Sequence, residues 1–397
     1  MAGRGRHVLI FSVVFPPDNV STAHLVGFLA DDLAAAGHRV TVITTTPHSR
    51  PEPEMVMPSG KVIRIPVPRK GTSALRNAFI WAIYLVGALW AGMLRAGRPD
   101  VVLAVTPPPG IGLIGSWVAR RWRAPLIYNV KELYPDVAVA LGVLDRAPLV
   151  AVMRWAENRA FHHAAVITAI TPAVADRIRS RGGKKVEVIP DCVDLDQIAP
   201  GADPTPFRTE FGIDAPVVIG YAGNLGVPQD LDLLLDSAAR LEDLPLQVVI
   251  VGDGTERERL TARIANEGIA NARVIPHQPA SRMSEIYAAC SLMYVPLAPG
   301  VGHDVMPSKA YQALAAERPI LVAAPVDSSL ADLARESGAG FVVQPLTAVA
   351  VAELVRTLDP PTLQAKGRRG RDFVRGRYSR PTVSAAYVRL VESAPGE

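Results

Sequence analysis

The chain has 397 residues, of which 49% are apolar, and only two cysteines. This length suffices for two or three domains, each with its own hydrophobic core, and the apolar content excludes a disordered or fibrous protein. Cys192 and Cys290 lie in unrelated contexts without a CxxC or His/Cys ligand spacing. We therefore expect neither a disulfide framework nor a zinc site, and a reducing cytoplasm is the expected compartment.

The net charge of +4 conceals an asymmetry between the two halves of the chain. Residues 1–200 contain 23 Lys and Arg against 15 Asp and Glu, whereas residues 201–397 contain 19 against 23. A basic first half suits anionic lipid, a phosphorylated acceptor or nucleic acid, but it is also typical of an ordinary solvated surface. Since no nucleic-acid-binding motif accompanies the charge, we expect no nucleic-acid partner.

The first residues, MAGRGRHVLIFSVVFPP, have the basic start and short apolar run of a signal peptide. They lack a small-residue cleavage site and continue directly into PPDN. A first buried strand from His7 to Val14 explains them better, so we predict no signal peptide.

A second apolar segment, AFIWAIYLVGALWAGML at 78–94, has 17 residues and no charge. As a helix it would be about 25 Å long, which is marginal for crossing a bilayer. The soluble-type strand and turn in GRPDVVLAVTPPPG follow it, so a spanning helix would divide an α/β unit. Three interpretations remain open: a core helix, a helix lying in a membrane surface, and a spanning helix. The second is compatible with the basic residues on both flanks, which are Arg64, Arg69, Lys70, Arg76, Arg95 and Arg98.

Strand and helix patterns alternate over about the first 190 residues. Short apolar runs rich in β-branched residues, such as HVLIFSVV, RVTVITT, VVLAV and PLIYNV, are separated by helical stretches, including 24–36 and 149–163. This alternation predicts a doubly wound parallel sheet.

The same pattern starts again after the loop ADPTPFRTEFGIDA, with strands and helices alternating from 217 to 323. We therefore predict two Rossmann-like domains with parallel sheets facing across a cleft, the place where such folds bind ligands. The predicted domains are 1–200 and 201–370. A basic linker, KGRRGRDFVRGRYSR, leads to a C-terminal helix in 371–397 that packs back onto the first domain.

Two glycine-rich turns follow strands of the second domain. YAGNLG contains Gly223 and Gly226, and VGDGTERERL contains Gly252 and Gly254. Such turns permit the backbone to approach a phosphate closely, although a packing role alone also explains them. Neither matches GxGxxG, and no acidic ribose-binding residue follows at the expected distance, which argues against a nicotinamide cofactor.

MPSKAYQALAAERP predicts a helix with an anion site at its start. Pro307 suits the first helical position, and the amides of the first turn can hold an anion with the help of the helix dipole. Lys309 adds a full charge there, and Ser308, Lys309 and Gln312 fall within about one turn of each other. These groups can converge on a diphosphate and the hydroxyls of its sugar. The alternative is an ordinary helix capped at Asp304 or Ser308.

The chain resembles a retaining glycosyltransferase of family 4 with the GT-B fold, over roughly residues 1–390. Within that family it is most similar to the branch that adds amino sugars to lipid intermediates of bacterial surface polysaccharides, such as fucosamine transferases. The resemblance depends on an ordered series of stretches: FPPDNVSTAHLVGFLADDLAAAGHRVTVIT, RPDVVLAVTPPP, YNVKELYPDVAVALGVL, VIPDCVDLDQI, YAGNLGVPQDLDLLLDSAA, VGDGTERERL and PSKAYQALAAERPILV.

This resemblance implies a UDP-sugar donor bound by the C-terminal domain and an acceptor bound by the N-terminal domain. The acceptor would be a lipid-linked or phosphorylated saccharide, and the enzyme would be cytoplasmic with peripheral contact at the inner face of the membrane. The family's two glutamates correspond here to Asp304, toward the donor sugar, and Gln312, toward the ribose. Its basic pair after the first turn corresponds to Asn224 and Gln229, so the diphosphate would depend mainly on Lys309.

The resemblance also assigns the remaining site residues. The catalytic set is Asp304, Lys309 and Glu132. The donor-binding set is Gly223, Asn224, Gly226, Gly252, Gly254, His277, His303, Pro307, Ser308 and Gln312. The acceptor-binding set is Ser21, Thr22, Lys131 and Asp136.

In this family the leaving phosphate is thought to take the acceptor's proton on the same face of the sugar, so no paired carboxylates are needed. DxD sequences at 194–196 and 230–232 lack the context of a metal-dependent glycosyltransferase. We predict no cofactor and no required metal, with the UDP-sugar as substrate. Three alternatives remain open: a soluble transferase acting on a small natural product, a nucleotide-sugar 2-epimerase, and a UDP-sugar-binding protein without activity.

Overall fold

A computed structural model describes residues 5–48, 59–69, 71, 74–140, 142, 144–226, 229–297 and 305–395. The chain forms two compact units. The first comprises Met1–Asp191 with Pro381–Glu397, and the second comprises Cys192–Arg380. The first unit thus ends before the predicted boundary at residue 200, and the second extends beyond 370.

The first unit contains a seven-stranded parallel sheet in the order β3-β2-β1-β4-β5-β6-β7. Five of its strands are buried along their whole length or nearly so, as expected when helices cover both faces of a parallel sheet. The strands are β1 His7–Phe11, β2 Arg39–Thr45, β3 Lys61–Ile65, β4 Val101–Val105, β5 Leu126–Val130, β6 Val166–Ala169 and β7 Val186–Val188.

Six helices of the first unit follow these strands in the alternation that the sequence predicted. They are α1 Ser21–Ala35, α2 Ala74–Leu94, α3 Ile111–Trp122, α4 Asp136–Ala140, α5 Ala147–His163 and α6 Pro172–Ser180.

The second unit contains a six-stranded parallel sheet in the order β10-β9-β8-β11-β12-β13. Its strands are β8 Val217–Asn224, β9 Leu246–Asp253, β10 Ala272–Ile275, β11 Leu292–Pro296, β12 Ile320–Ala323 and β13 Gly340–Val342. The strand order reverses between β8 and β11, and ligands of such sheets bind outside the carboxyl ends of the strands at this switch point. Both sheets confirm the predicted pair of Rossmann-like units.

Eight helices of the second unit lie in its described part. They are α7 Thr205–Glu210, α8 Leu231–Ala239, α9 Arg257–Glu267, α10 Met283–Ala289, α11 Ser308–Ala315, α12 Ser329–Glu336, α13 Ala348–Arg356 and α14 Pro360–Arg377.

The predicted basic linker is wrong, because its residues form most of α14. Buried positions at Leu363, Gly367, Gly370 and Val374 recur every three or four residues. The arginines of α14 are exposed except Arg371, which donates to the carbonyls of Ile198 and Ala315. The two glycines allow α14 to pack closely on α11 and its C-terminal loop. A Cβ on Gly367 would lie 2.0 Å from the carbonyl oxygen of Glu317.

The last helix, α15 Arg380–Ser393, lies almost wholly in the first unit. The buried Tyr387 accepts a short hydrogen bond from the Asn129 amide and lies 3.4 Å from the Thr168 hydroxyl. Arg6 Nη1 donates to the Ala394 carbonyl at 2.7 Å. These contacts attach α15 to β5, β6 and the segment before β1.

Helix α2 has one packed face and one exposed face. Tyr84 is fully buried and its hydroxyl donates to the Ile43 carbonyl at 3.0 Å, while Trp122 Nε1 donates to the Gly92 carbonyl at 2.9 Å. On the opposite face, Phe79 and Trp90 are exposed. Length and composition alone would let this helix cross a membrane, as core helices of many proteins would, but here one face packs on β2 and β3.

Candidate active site

The ammonium group of Lys309 lies at the carboxyl end of β8. Its Nζ donates to the Tyr221 hydroxyl at 2.7 Å and to Gln229 Oε1 at 3.3 Å, and it lies 4.0 Å from the centre of the Tyr221 ring. No carboxylate among the described residues contacts it, so these partners leave the positive charge unneutralised. Burial lowers the pKa of Lys309 to about 7.

The side chain of Lys309 is oriented by neutral groups that have their own partners. The buried Tyr221 hydroxyl lies 2.6 Å from the Asn224 carbonyl, to which it donates, and this leaves its lone pairs for the lysine. Burial raises the pKa of Tyr221, which therefore remains a neutral acceptor. Lys309 as a whole residue is partly exposed, although its ammonium group is buried.

Gly223 provides room for this ammonium group. Its φ of 148° favours glycine, and a Cβ there would lie 3.2 Å from Lys309 Nζ. Gly252 and Gly254 have a different reason to be glycine. Their Cβ atoms would lie 1.9 Å and 2.2 Å from the carbonyl oxygens of Gly223 and Leu225, respectively. Close packing between the ends of β8 and β9 thus accounts for both.

Helix α11 presents Gln312 one turn after Lys309. Gln312 Oε1 accepts a hydrogen bond from the Tyr287 hydroxyl at 2.9 Å, and Tyr287 is fully buried in α10. This bond fixes the amide oxygen and leaves the amide nitrogen as a donor. The amide nitrogen of Gln312 can thus donate a hydrogen bond to a sugar hydroxyl, whereas a carboxylate at this position would accept one.

The start of α11 differs slightly from the prediction. Pro307 is the N-cap, with ψ of 116°, and the helix begins at Ser308 rather than at the proline. Asp304 and His303 lie outside the described residues, so their predicted roles stay predictions. His277 is exposed after β10, and Gly226 is buried in the turn after β8.

In the first unit, two predicted residues at the end of β5 have partners of their own. Lys131 forms a short, largely buried ion pair with Asp191. Glu132 hydrogen-bonds Tyr134, whose pKa is raised by burial first and by this carboxylate second. The backbone amides of Lys131 and Glu132 both donate to Thr106 Oγ1, at 2.8 Å and 3.4 Å. The role of Lys131 in acceptor binding and the catalytic role of Glu132 stay predictions.

Asp136 is the first residue of α4 and lies among three guanidinium groups. It pairs with Arg154, Arg177 and Arg181 at 2.7, 2.9 and 3.1 Å. These partners give the carboxylate a structural role that joins α4, α5 and α6. Ser21 and Thr22 begin α1, with Ser21 exposed and Thr22 partly buried.

The two DxD sequences meet arginines in this structure. Asp232 accepts from Arg259 and Arg263, and Asp194 Oδ2 lies 3.2 Å from Arg380 Nη1. Within the described ranges, no three His, Cys, Asp or Glu side chains lie close enough together to hold a metal ion.

Tyr221 and Tyr287, which orient Lys309 and Gln312, were not predicted as site residues. A signal was present for Tyr221, because a hydroxyl-bearing residue stands three positions from the end of β8, at the edge where ligands bind. Tyr287 had none, since its contact joins α10 to α11 across the fold.

Two protein families match most of the chain. Residues 23–192 match the "Glycosyl transferase 4-like domain" family, and residues 206–362 match the "Glycosyl transferases group 1" family. With the two parallel-sheet units, these matches define a glycosyltransferase, and the chain belongs to the glycosyltransferases with the GT-B fold.

Particular relatives are distant. The chain is 24% identical to the putative colanic acid biosynthesis glycosyl transferase WcaI of Escherichia coli, over 88% of this chain and 91% of that one. It is 27% identical to the GDP-mannose-dependent alpha-mannosyltransferase of Mycobacterium tuberculosis, over 72% of this chain and 71% of that one. The fold matches that of Anabaena HepE, solved with UDP and glucose, with a TM-score of 0.74, 15% identity and coverage of 98% and 100%.

Proposed function

We propose that this enzyme transfers a sugar, of the N-acetylated amino-sugar type, from a UDP-sugar to a hydroxyl of a lipid-linked saccharide, with retention at the anomeric carbon. The reaction belongs to cell-surface polysaccharide synthesis, at the cytoplasmic face of the membrane. The resemblance to amino-sugar transferases supports the sugar type. The assignment of WcaI to colanic acid biosynthesis supports the pathway class, and the UDP bound to HepE supports the UDP-linked donor.

The observation that carries this proposal is the buried ammonium group of Lys309 at the switch point of the second sheet, with no carboxylate partner among the described residues. A cation held by two neutral oxygens beside a glycine turn is suited to an anionic ligand, because a diphosphate would supply the missing countercharge. The start of α11 adds its dipole at the same place.

The role of Lys309 follows from the charge that develops during the reaction. The bond between the anomeric carbon and the phosphate oxygen breaks, the acceptor oxygen bonds to the same face of that carbon, and UDP leaves. The acceptor proton passes to the departing phosphate oxygen. A protonated Lys309 stabilises the negative charge on that diphosphate more strongly than it stabilises the bound donor.

A panel of UDP- and GDP-sugars, with and without membrane extract, tests the proposal through release of the nucleoside diphosphate. We expect release from a UDP-sugar, dependent on the extract, and its loss in Lys309→Ala. A preference for GDP-sugars would overturn the assigned base. Release that is equally fast with a small soluble acceptor and with extract would overturn the lipid-linked acceptor.

A further inference from the structure

Three neighbouring helices of the first unit hold all five tryptophans of the chain. Trp81 and Trp90 lie in α2, Trp117 and Trp122 in α3, and Trp155 in α5. Helix α3 packs against both α2 and α5, so the three form one layer on the same side of the sheet. The tryptophans of this chain are therefore confined to one layer of helices.

The outer surface of this layer is apolar. On α2, Phe79, Val86, Trp90 and Leu94 follow a helical spacing and are 59% to 66% exposed. Trp117 of α3 is 44% exposed. We call the exposed apolar side chains of α2, α3 and α5 the tryptophan face.

Helix α5 extends the tryptophan face with a second stripe. Leu149, Val152 and Trp155 recur every three residues, and Val152 and Trp155 are each 60% exposed. Exposed large apolar groups on three adjacent helices form a patch rather than scattered single residues, and such patches mark interaction sites.

The charges of the layer have one sign. Helices α2, α3 and α5 contain five arginines, and their single acidic residue, Glu157, is 1% exposed in the interior. Arg154 is partly neutralised by Asp136, but Arg120 and Arg159 have no carboxylate partner among the described residues. Two exposed carboxylates, Asp100 and Asp145, lie outside these helices in the sequence.

Arginines of α3 and α5 both lie close enough to His163 to lower its pKa. The pKa of His163, at the end of α5, is lowered by burial first, and then by Arg120 of α3 and Arg159 of α5. A positive potential therefore covers the junction of α3 and α5, beside the tryptophan face.

We propose that the tryptophan face docks the enzyme peripherally on a bilayer that contains anionic lipids. Tryptophan is suited to the headgroup level, the aliphatic side chains insert below it, and the arginines pair with lipid phosphates. An exposed apolar surface on helices whose exposed charged side chains are all arginines matches this partner better than a protein surface of mixed charge. The inference rests on the proposed lipid-linked acceptor, since it explains how the enzyme reaches one.

Flotation with vesicles tests this docking. The full-length protein is mixed with vesicles of phosphatidylethanolamine and phosphatidylglycerol, or of phosphatidylcholine alone. The variants are Trp90→Gln/Trp155→Gln and Arg120→Glu/Arg159→Glu. The matched controls in the second unit are Val326→Gln/Val349→Gln and Arg368→Glu/Arg369→Glu, at exposed residues.

We expect the wild type and both controls to float with the phosphatidylglycerol vesicles. Each variant of the tryptophan face should lose at least about tenfold in partitioning, without a change in thermal unfolding. Equal binding by these variants and the wild type would overturn the proposal. So would a stable dimer that Trp90→Gln/Trp155→Gln dissociates, which would assign the face to a second copy.

A parallel measurement separates this inference from the proposed function. Binding of a UDP-sugar is followed in the same preparations by calorimetry without vesicles. Donor binding without flotation would overturn the docking alone, whereas flotation without donor binding would overturn the proposed function alone.

Discussion

The role proposed for Lys309 would set ligand binding against the stability of the folded protein. Burial of an ammonium group without a countercharge costs free energy of folding, and the lowered pKa expresses that cost. A diphosphate would remove the cost by pairing with the group. Donor binding and protonation of Lys309 are therefore coupled.

This coupling predicts a pH dependence of donor binding. Lys309 has a pKa of about 7 in the ligand-free enzyme, and a bound diphosphate raises it. Affinity for a UDP-sugar should be constant below pH 7 and fall toward about tenfold per pH unit above it. A UDP-sugar is the right titrant, because its diphosphate has no second protonation near neutral pH, and calorimetry between pH 6 and pH 8.5 measures the effect. Affinity that is flat across this range would contradict the assignment.

The space that Gly223 leaves beside Lys309 should matter for donor binding. In Gly223→Ala the added Cβ meets Lys309 Nζ at 3.2 Å and the backbone is strained at φ of 148°. We expect UDP-sugar affinity to fall at least about tenfold, since the ammonium group must move. Gly268→Ala is the control, because it also has a positive φ, of 67°, but no neighbour within 4 Å. Similar donor affinities in both variants would show that the space beside Lys309 is unimportant.

At the scale of elements, α14 shows where sequence reasoning failed. Glycine and arginine in GRRGRDFVRGR are typical of a flexible basic linker, so the segment was predicted as one. The structure uses Gly367 and Gly370 as contact points on a helix, a role that depends on the shape of α11 and the loop after it. Such a role cannot be predicted from local pattern, because the partner is distant in the sequence.

Two glycines of α14, Gly367 and Gly376, test whether close helix packing requires glycine in this helix. Gly367→Ala places a Cβ 2.0 Å from the Glu317 carbonyl oxygen, so the helices must separate. We expect a loss of about 1–3 kcal/mol in the free energy of unfolding, measured with urea. Gly376→Ala, in the same helix with no neighbour within 4 Å, should instead gain about 0.5–1 kcal/mol. If Gly367→Ala were as stable as Gly376→Ala, close packing would not explain the glycine.

The strands and most helices were predictable, for a physical reason. Buried parallel strands are continuous apolar runs bounded by turn residues, and that signal is local. The start of α11 was predictable to within one residue, since proline favours the beginning of a helix. The anion site beside Lys309 stays a prediction. The partners of Lys309, Tyr221 and Gln229, were not predictable, because they are brought to Lys309 by the folding of β8.

At the scale of the whole molecule, the chain crosses from its second unit back to the first. Removal of 381–397 would leave the buried Asn129 without Tyr387 and would expose the surface that α15 covers. We expect faster hydrogen exchange at β5 and β6, with exchange at β8 and β9 unchanged. Tyr387→Phe should show the same pattern more weakly, since an unpaired buried amide costs about 1–3 kcal/mol. Exchange that increases equally in both units would contradict this assignment of α15.

The proposal that Lys309 holds the diphosphate is tested by calorimetric titration with UDP, combined with thermal unfolding, of the wild type, Lys309→Met and Lys366→Met. Lys366 is the control, because its Nζ also has neutral partners, the Gly338 carbonyl at 3.1 Å and the Phe341 ring. We predict that Lys309→Met binds UDP roughly ten- to hundredfold more weakly and yet unfolds at a higher temperature. The gain in stability of Lys309→Met over the wild type should be largest below pH 7, where Lys309 of the folded wild type is charged. Between pH 7 and about 10.4 the lysine is protonated only in the unfolded wild type, so the difference in stability should shrink as the pH rises. If Lys309→Met bound UDP as tightly as Lys366→Met and the wild type do, Lys309 would not be the group that holds the diphosphate.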